Sequence, residues 1–143
     1  MISIIIPVFN EEKTIFNVLE SVKKAFKDVE CEIIVVDDGS TDRTQDICLV
    51  YKNIQYARLS DNRGKGFALR AGFARAQGAL VAIQDADLEY DPFTLRKLCN
   101  HAKNNIAIYG KRDRKHGYFF YRIGVGFLSL LCNFLYGSDL YDI

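Results

Sequence analysis

The residues best equipped for chemistry stand together at Gln84-Asp85-Ala86-Asp87-Leu88-Glu89, directly after the apolar run Leu80-Val81-Ala82-Ile83. Side chains alternate along an extended chain, so an extended 85–89 would send Asp85, Asp87 and Glu89 to one side. Three carboxylates held that close repel one another unless a cation sits among them. A hard divalent ion with oxygen ligands, Mg²⁺ or Mn²⁺, suits such a place and usually arrives with substrate phosphates. The same residues also suit a plain polar exit from a buried strand. The elements around them must decide.

The chain has 143 residues, enough for one domain with a real core and too few for two. Its apolar share of 49% and charged share of 26% are those of a globular protein. A net charge of +1 gives bulk electrostatics no preference for nucleic acid. The charge is uneven, however: acidic groups gather at 37–46 and 85–91, and Lys111, Arg112, Arg114 and Lys115 form a basic run. Cysteines at 31, 48, 99 and 132 show no C-x-x-C spacing, which argues against zinc and for core thiols in a reduced, cytoplasmic setting. Met1 leads straight into an apolar run with no basic n-region or cleavage site, so no signal peptide is expected.

Strand-like and helix-like runs alternate. Residues 2–8 are β-branched and apolar on both faces, as in a strand buried within a parallel sheet. Residues 11–27 carry Ile15, Val18, Leu19, Val22 and Phe26 at helical spacing. Residues 31–36 predict a second strand, ending at Asp37-Asp38-Gly39, and Ser40 or Thr41 can cap a helix over 42–51. A third strand is expected over 54–59 and a helix over 65–77, with Leu69, Ala71, Phe73 and Ala76 available for packing. A fourth strand over 80–84, a helix over 92–104 opened by Pro92 and a fifth strand over 106–109 complete the series. This βαβαβαβαβ order predicts an α/β fold, a mainly parallel sheet with helices on both faces. Ligands of such sheets bind beyond the carboxyl ends of the strands, where the polar clusters at 9–12, 37–42 and 85–89 all fall.

Residues 118–136 differ, being helical in period, apolar nearly all round and charged only at Arg122. The uncharged stretch 123–137 is shorter than the roughly 20 residues a membrane span requires. It predicts an interfacial helix or one that packs on a partner chain, and it would equally serve as an ordinary core helix. Two nucleotide-binding patterns are excluded. The turn after the first strand lacks G-x-G-x-x-G, and Gly64-Lys65-Gly66 is followed by Phe67, so neither a Rossmann fingerprint nor a P-loop is present. His101 and His116, the two histidines, suggest no Ser-His-Asp arrangement.

Four motifs stand in register: Ile5-Ile6-Pro7-Val8-Phe9-Asn10-Glu11-Glu12, Val35-Val36-Asp37-Asp38-Gly39-Ser40-Thr41-Asp42-Arg43-Thr44, Asn62-Arg63-Gly64-Lys65-Gly66 and Asp85-Ala86-Asp87. Together they resemble glycosyltransferase family 2, with its GT-A fold. The closer likeness is to polyprenyl-phosphate hexosyltransferases, seen in the run from Gln84 to Pro92, in Tyr109-Gly110-Lys111-Arg112 and in Asn133-Phe134-Leu135-Tyr136-Gly137. The resemblance implies a nucleotide-sugar core over 1–112, then a basic loop and apolar helix over 113–143 that begin the acceptor region. It implies that Pro7, Phe9, Asn10 and Glu12 line a nucleotide pocket and that Asp38 bonds the base or ribose. Lys65 would meet phosphate or base, with Gly64 and Gly66 letting backbone approach the ligand, and Asp85 would face the ribose or the metal. Asp87, with Glu89, would hold a Mg²⁺ or Mn²⁺ ion bridging the donor phosphates. Arg112 would meet phosphate, and Arg114 and Arg122 the acceptor's phosphate, beside a membrane surface.

The implied reaction is inverting transfer of a hexose from a UDP- or GDP-sugar to a polyprenyl (dolichyl or undecaprenyl) phosphate, with Asp87 and Arg112 at its centre. An acceptor phosphate is already ionised near neutral pH and needs no general base. A sugar-hydroxyl acceptor, as in cell-surface polysaccharide synthesis, would want a carboxylate base. Compared with the family pattern the chain ends early, which raises the alternative of a nucleotide-binding fragment or partner subunit without activity. A peripheral place on the cytoplasmic face of a membrane is expected.

Overall fold

The computed structural model describes residues 1–102 together with 107 and 108. The chain divides into two units, Met1–Ile108 and Tyr109–Ile143, and every described residue belongs to the first. Arg112, Arg114, Arg122 and the helix expected over 118–136 lie outside the described residues.

Four strands form one sheet: β1 (Ile2–Val8), β2 (Cys31–Asp37), β3 (Gln55–Arg58) and β4 (Leu80–Ile83). All pair in parallel, in the order β3-β2-β1-β4. β1 is central because its β-branched residues fill both faces at once, and Ile4, Ile5 and Ile6 are wholly buried. Ile4, Ile6 and Val8 of β1, with Ile33 and Val35 of β2, pack against helix α1 (Ile15–Ala25) through Ile15, Val18, Leu19 and Val22, and Phe26 closes the same cluster. Helices α2 (Thr44–Val50) and α4 (Pro92–His101) extend that layer through Cys48, Leu95 and Cys99. The opposite face, Ile34 and Val36, meets helix α3 (Lys65–Phe73) through Ala68. Helices therefore cover both faces of a parallel sheet, as the alternating pattern predicts.

Differences of detail have local causes. The described helices are shorter than expected, because each is preceded or followed by turns that carry the loops. Residues 11–14 form a turn in which Thr14 N–H and Ile15 N–H both donate to the Glu11 carbonyl, so α1 begins at Ile15. Ser40 and Thr41 do not cap α2. Asp42 Oδ1 instead accepts from Thr44 N–H at 2.9 Å, at the helix entrance. In α3 the buried residues are Ala68 and Gly72, one turn apart, with Ala71 and the following Ala76 packed partly buried beside them, while Phe73 is 49% exposed. Gly72 sits so close to β1 that a Cβ there would lie 2.5 Å from Ile5 Cγ2. Of the four expected packing positions, Ala71 and Ala76 pack on the sheet and Phe73 does not, because so close an approach favours small side chains. α4 opens on Pro92 as predicted, with Asp91 Oδ1 accepting from Phe93 N–H. Of the expected fifth strand over 106–109, Ala107 and Ile108 stand in no regular element and the other two lie outside the described residues. Cys31, Cys48 and Cys99 are free thiols. Burial, helped by the charge of Asp37, pushes the Cys48 thiol up to about 12, so it serves as an inert core residue.

Candidate functional site

A cleft of about 210 Å³ opens beyond the carboxyl ends of β1, β2 and β4, with the first turn of α3 as a further wall. β1 and the loop after it deliver Pro7, Val8, Phe9 and Glu11, the loop after β2 delivers Asp38, α3 delivers Lys65 and Ala68, and the loop after β4 delivers Asp85, Ala86 and Asp87. This is where a parallel sheet leaves room for a ligand, since adjacent loops diverge there.

The first wall is built by hydrogen bonds between two loops. Asn10 N–H donates to Ser40 Oγ at 2.9 Å, and Thr41 N–H donates to Asn10 Oδ1 at 2.8 Å. Glu11 N–H donates to Thr44 Oγ1, Glu12 N–H to Asp42 Oδ2 and Arg43 N–H to Glu12 Oε2. Burial pushes the Asp42 carboxyl up, but the bonds it accepts from Thr44 and from the Glu12 N–H outweigh it, and the group lies below its ordinary value. Asn10 has a positive φ of 57°, a conformation Asn tolerates better than most residues, and it turns the loop back toward β2. Asn10 and Glu12 thus tie loops together and do not line the cleft, while neighbouring Glu11 does. That departs from the expectation that both face the ligand.

The second wall rests on the pair Asp37-Asp38. Asp37 is fully buried, with Oδ1 accepting from Ser40 N–H at 2.7 Å and Oδ2 from the Tyr56 hydroxyl at 2.6 Å. Burial, reinforced by that bond, holds the Tyr56 phenol well above its ordinary range. Asp38 is 3% exposed and anchors the next loop, accepting from Arg63 N–H at 2.9 Å and Gly64 N–H at 2.7 Å. Each carboxylate oxygen keeps a second lone pair, so Asp38 retains capacity toward a ligand. Gly39 allows this crowding: its φ is +76°, and a Cβ would lie 2.8 Å from the Asp61 carbonyl carbon. Gly64, with φ +90°, lets the chain turn into α3. A Cβ on Gly64 or Gly66 would meet nothing within 4 Å, so in this structure neither is forced by crowding.

The carboxylate loop does not continue the strand. β4 ends at Ile83, Leu88 has φ 61°, and Glu89 N–H folds back to donate to Asp87 Oδ1 at 3.0 Å. The expected alternation of Asp85, Asp87 and Glu89 along one side therefore fails, because the chain bends after Ile83 and does not stay extended. Asp85 and Asp87 line the cleft and Glu89 does not. Gln84, whose role the sequence did not disclose, holds the bend. It is 2% exposed, and its amide donates to the carbonyls of Asp85 and Tyr90 at 3.1 and 2.9 Å. A buried amide at the end of an apolar strand was the available sign. Across the cleft Lys65 Nζ lies 2.6 Å from Asp85 Oδ1.

Among the described residues no three Asp, Glu, His or Cys side chains stand close enough to hold a metal ion between them. A Mg²⁺-like ion needs only one or two carboxylates when phosphate oxygens and waters complete its shell. Asp85 and Asp87 meet that requirement, so the donor set fits a metal that shares its ligands with a phosphorylated substrate. It does not fit an all-protein cage.

Comparison with known proteins places the chain. The family model described as glycosyl transferase family 2 matches residues 3–132. The undecaprenyl-phosphate 4-deoxy-4-formamido-L-arabinose transferase of Proteus mirabilis is 36% identical over 120 residues, covering 79% of this chain and 37% of that protein. Dolichol-phosphate mannosyltransferase of Pyrococcus furiosus is 33% identical over 130 residues, covering 85% of this chain and 37% of that protein. Among solved structures, glucosyl-3-phosphoglycerate synthase of Mycobacterium tuberculosis, in complex with Mn²⁺, UDP and phosphoglyceric acid, superposes with a TM-score of 0.60 at 29% identity, over 70% of this chain and 38% of that one. The chain thus spans well under half the length of each of these proteins.

Proposed function

The chain belongs to glycosyl transferase family 2 and has the GT-A fold, and from that premise we propose that it transfers a hexose from a UDP- or GDP-sugar to a polyprenyl phosphate, with inversion and with the help of a divalent metal. The observation that carries this reading is the composition of one cleft. It combines a buried carboxylate (Asp38), a cationic side chain (Lys65) and two carboxylates (Asp85 and Asp87) at the carboxyl ends of parallel strands.

Each group has a use toward a nucleotide-diphosphate sugar. Asp38 accepts N–H or O–H donors of the base or ribose through the lone pairs that Arg63 and Gly64 leave open. Pro7 and Phe9 supply apolar surface beside it, Phe9 being 40% exposed and so available to a ligand. The N-terminus of α3 and Lys65 present positive charge to the diphosphate. Asp87 and Asp85 would hold Mg²⁺ or Mn²⁺, which when bound neutralises charge building on the leaving diphosphate. An acceptor phosphate is ionised before it attacks and would ask no general base of these residues. The names of the Proteus and Pyrococcus relatives support an acceptor of that kind.

The remaining parts of the reading fall on residues outside those described. Arg112, Arg114 and Arg122 would pair with phosphate oxygens in the planar, two-pronged manner of guanidinium groups. The apolar 118–136 stretch would rest at a membrane surface, on the cytoplasmic face, or against a partner chain. Among the described residues no helix is long and apolar enough to cross a membrane. The direct test is transfer of radiolabelled hexose from UDP- and GDP-sugars to undecaprenyl phosphate, read as label entering the organic phase. We expect Mn²⁺- or Mg²⁺-dependent label with one donor. Lipid labelling that persists undiminished in chelator would contradict the metal's part, and no labelling with any donor would contradict transfer by this chain.

A further inference from the structure

Among the described residues that line the cleft, Lys65 is the sole cationic side chain, while Glu11, Asp38, Asp85 and Asp87 supply four carboxylates. Arg63, two residues earlier, is engaged elsewhere, stacked over the Phe67 ring at 4.2 Å and 3.8 Å from Asp61. Lys65 Nζ bonds Asp85 Oδ1 at 2.6 Å, so in this structure an ammonium occupies one carboxylate of the pair that would hold the metal. Both ends of this bond are accessible, the side chains being 57% and 24% exposed. A pair so open to water is held weakly and is readily traded for a better partner. Lys65 is also the first residue of α3, placed where a helix N-terminus favours an anion. A diphosphate there would offer the ammonium more negative charge than Asp85 does.

We propose that Lys65 is a resident counter-ion that changes partner: it neutralises Asp85 while the cleft is empty of nucleotide, and moves to the donor's diphosphate oxygens when these arrive. That movement releases Asp85 for the metal. This inference rests on the nucleotide-sugar reading of the cleft and adds an order to it. Metal binds poorly by itself and well after, or with, the nucleotide, because one side chain guards a ligand until the diphosphate draws it away. Lys65 acts through Asp85 on the metal and is in that respect a positioning residue.

UDP chelates Mn²⁺ on its own, so cooperativity between the two is not diagnostic. The discriminating quantity is the affinity for Mn²⁺ without nucleotide, followed by electron paramagnetic resonance of free Mn²⁺ on the 143-residue chain. Lys65→Met should tighten this binding by about three- to fivefold, the range expected for releasing an exposed ion pair. The gain should recur in Lys65→Gln and disappear in Lys65→Met combined with Asp85→Asn. In the same variants UDP affinity measured without metal should fall, since the diphosphate loses its cation. Unchanged or weaker Mn²⁺ binding in both single variants, with thermal midpoints like the parent's, would overturn the exchange. A parent chain that binds neither UDP nor GDP with Mn²⁺ present would instead count against the proposed function, and the nucleotide-free comparison would still report on Lys65.

Discussion

At the scale of single residues, Asp38 carries two duties. Its carboxylate faces the cleft and also accepts the N–H groups of Arg63 and Gly64. An amide side chain has only one acceptor oxygen, so Asp38→Asn should leave one of those N–H groups unsatisfied in a nearly closed environment. We expect a loss of about 1–2 kcal/mol in chemical denaturation, with weaker nucleotide binding as the 62–64 loop loosens. Asp87 has a different character, being exposed at the cleft's rim, so Asp87→Asn should leave stability within about 0.5 kcal/mol while removing the metal dependence of nucleotide binding. Calorimetry with and without Mn²⁺ separates the two effects. Which charged residues gather at the strand ends was legible in the sequence, because they follow directly on buried apolar runs. Where each side chain points was less so. Asn10 and Glu12 bond to Thr41 and Arg43, about thirty positions away, and no local pattern announces such partners.

At the scale of elements, the site depends on how closely α3 lies on the sheet. Gly72 allows that approach, and a Cβ there would press on the branch carbon Cγ2 of Ile5, which cannot swing aside. Gly72→Val should therefore cost about 1–3 kcal/mol, seen as a lower denaturation midpoint, and should weaken nucleotide binding by shifting Lys65 with the helix. The alternation of strands and helices was readable because β-branched runs and helical spacing in α1 are both strong signals. All five apolar positions expected of that helix, Ile15, Val18, Leu19, Val22 and Phe26, are buried. The packing of α3 was legible in part: Ala71 and Ala76 pack on the sheet as expected, while periodicity does not disclose that the close approach at Ala68 and Gly72 leaves Phe73 outside. The end of β4 was misjudged for a related reason. Composition alone does not reveal that Gln84 turns inward and bends the chain.

For the molecule as a whole, the far end of the sheet contributes a pH dependence distinct from the site. Glu32 is held below its ordinary value of 4.5 first by the Ser3 hydroxyl at 2.5 Å, then by Gln77 N–H at 2.7 Å, against the opposing effect of burial. A carboxyl whose folded value is lowered contributes stability in full above its unfolded value, and that contribution is lost as pH falls through the folded one. The thermal midpoint should accordingly hold above about pH 5 and fall as the medium becomes more acidic, and fall less in Glu32→Gln. The central claim concerns the other end of the sheet, where the acidic cleft, the helix N-terminus and a family 2 ancestry converge on a nucleotide-diphosphate sugar. Calorimetric titration with UDP and with GDP, each with and without Mn²⁺, tests it most directly. The account predicts saturable binding of one nucleotide that strengthens at least tenfold with Mn²⁺, as expected when metal and diphosphate share ligands. Binding of neither nucleotide under either condition would contradict it.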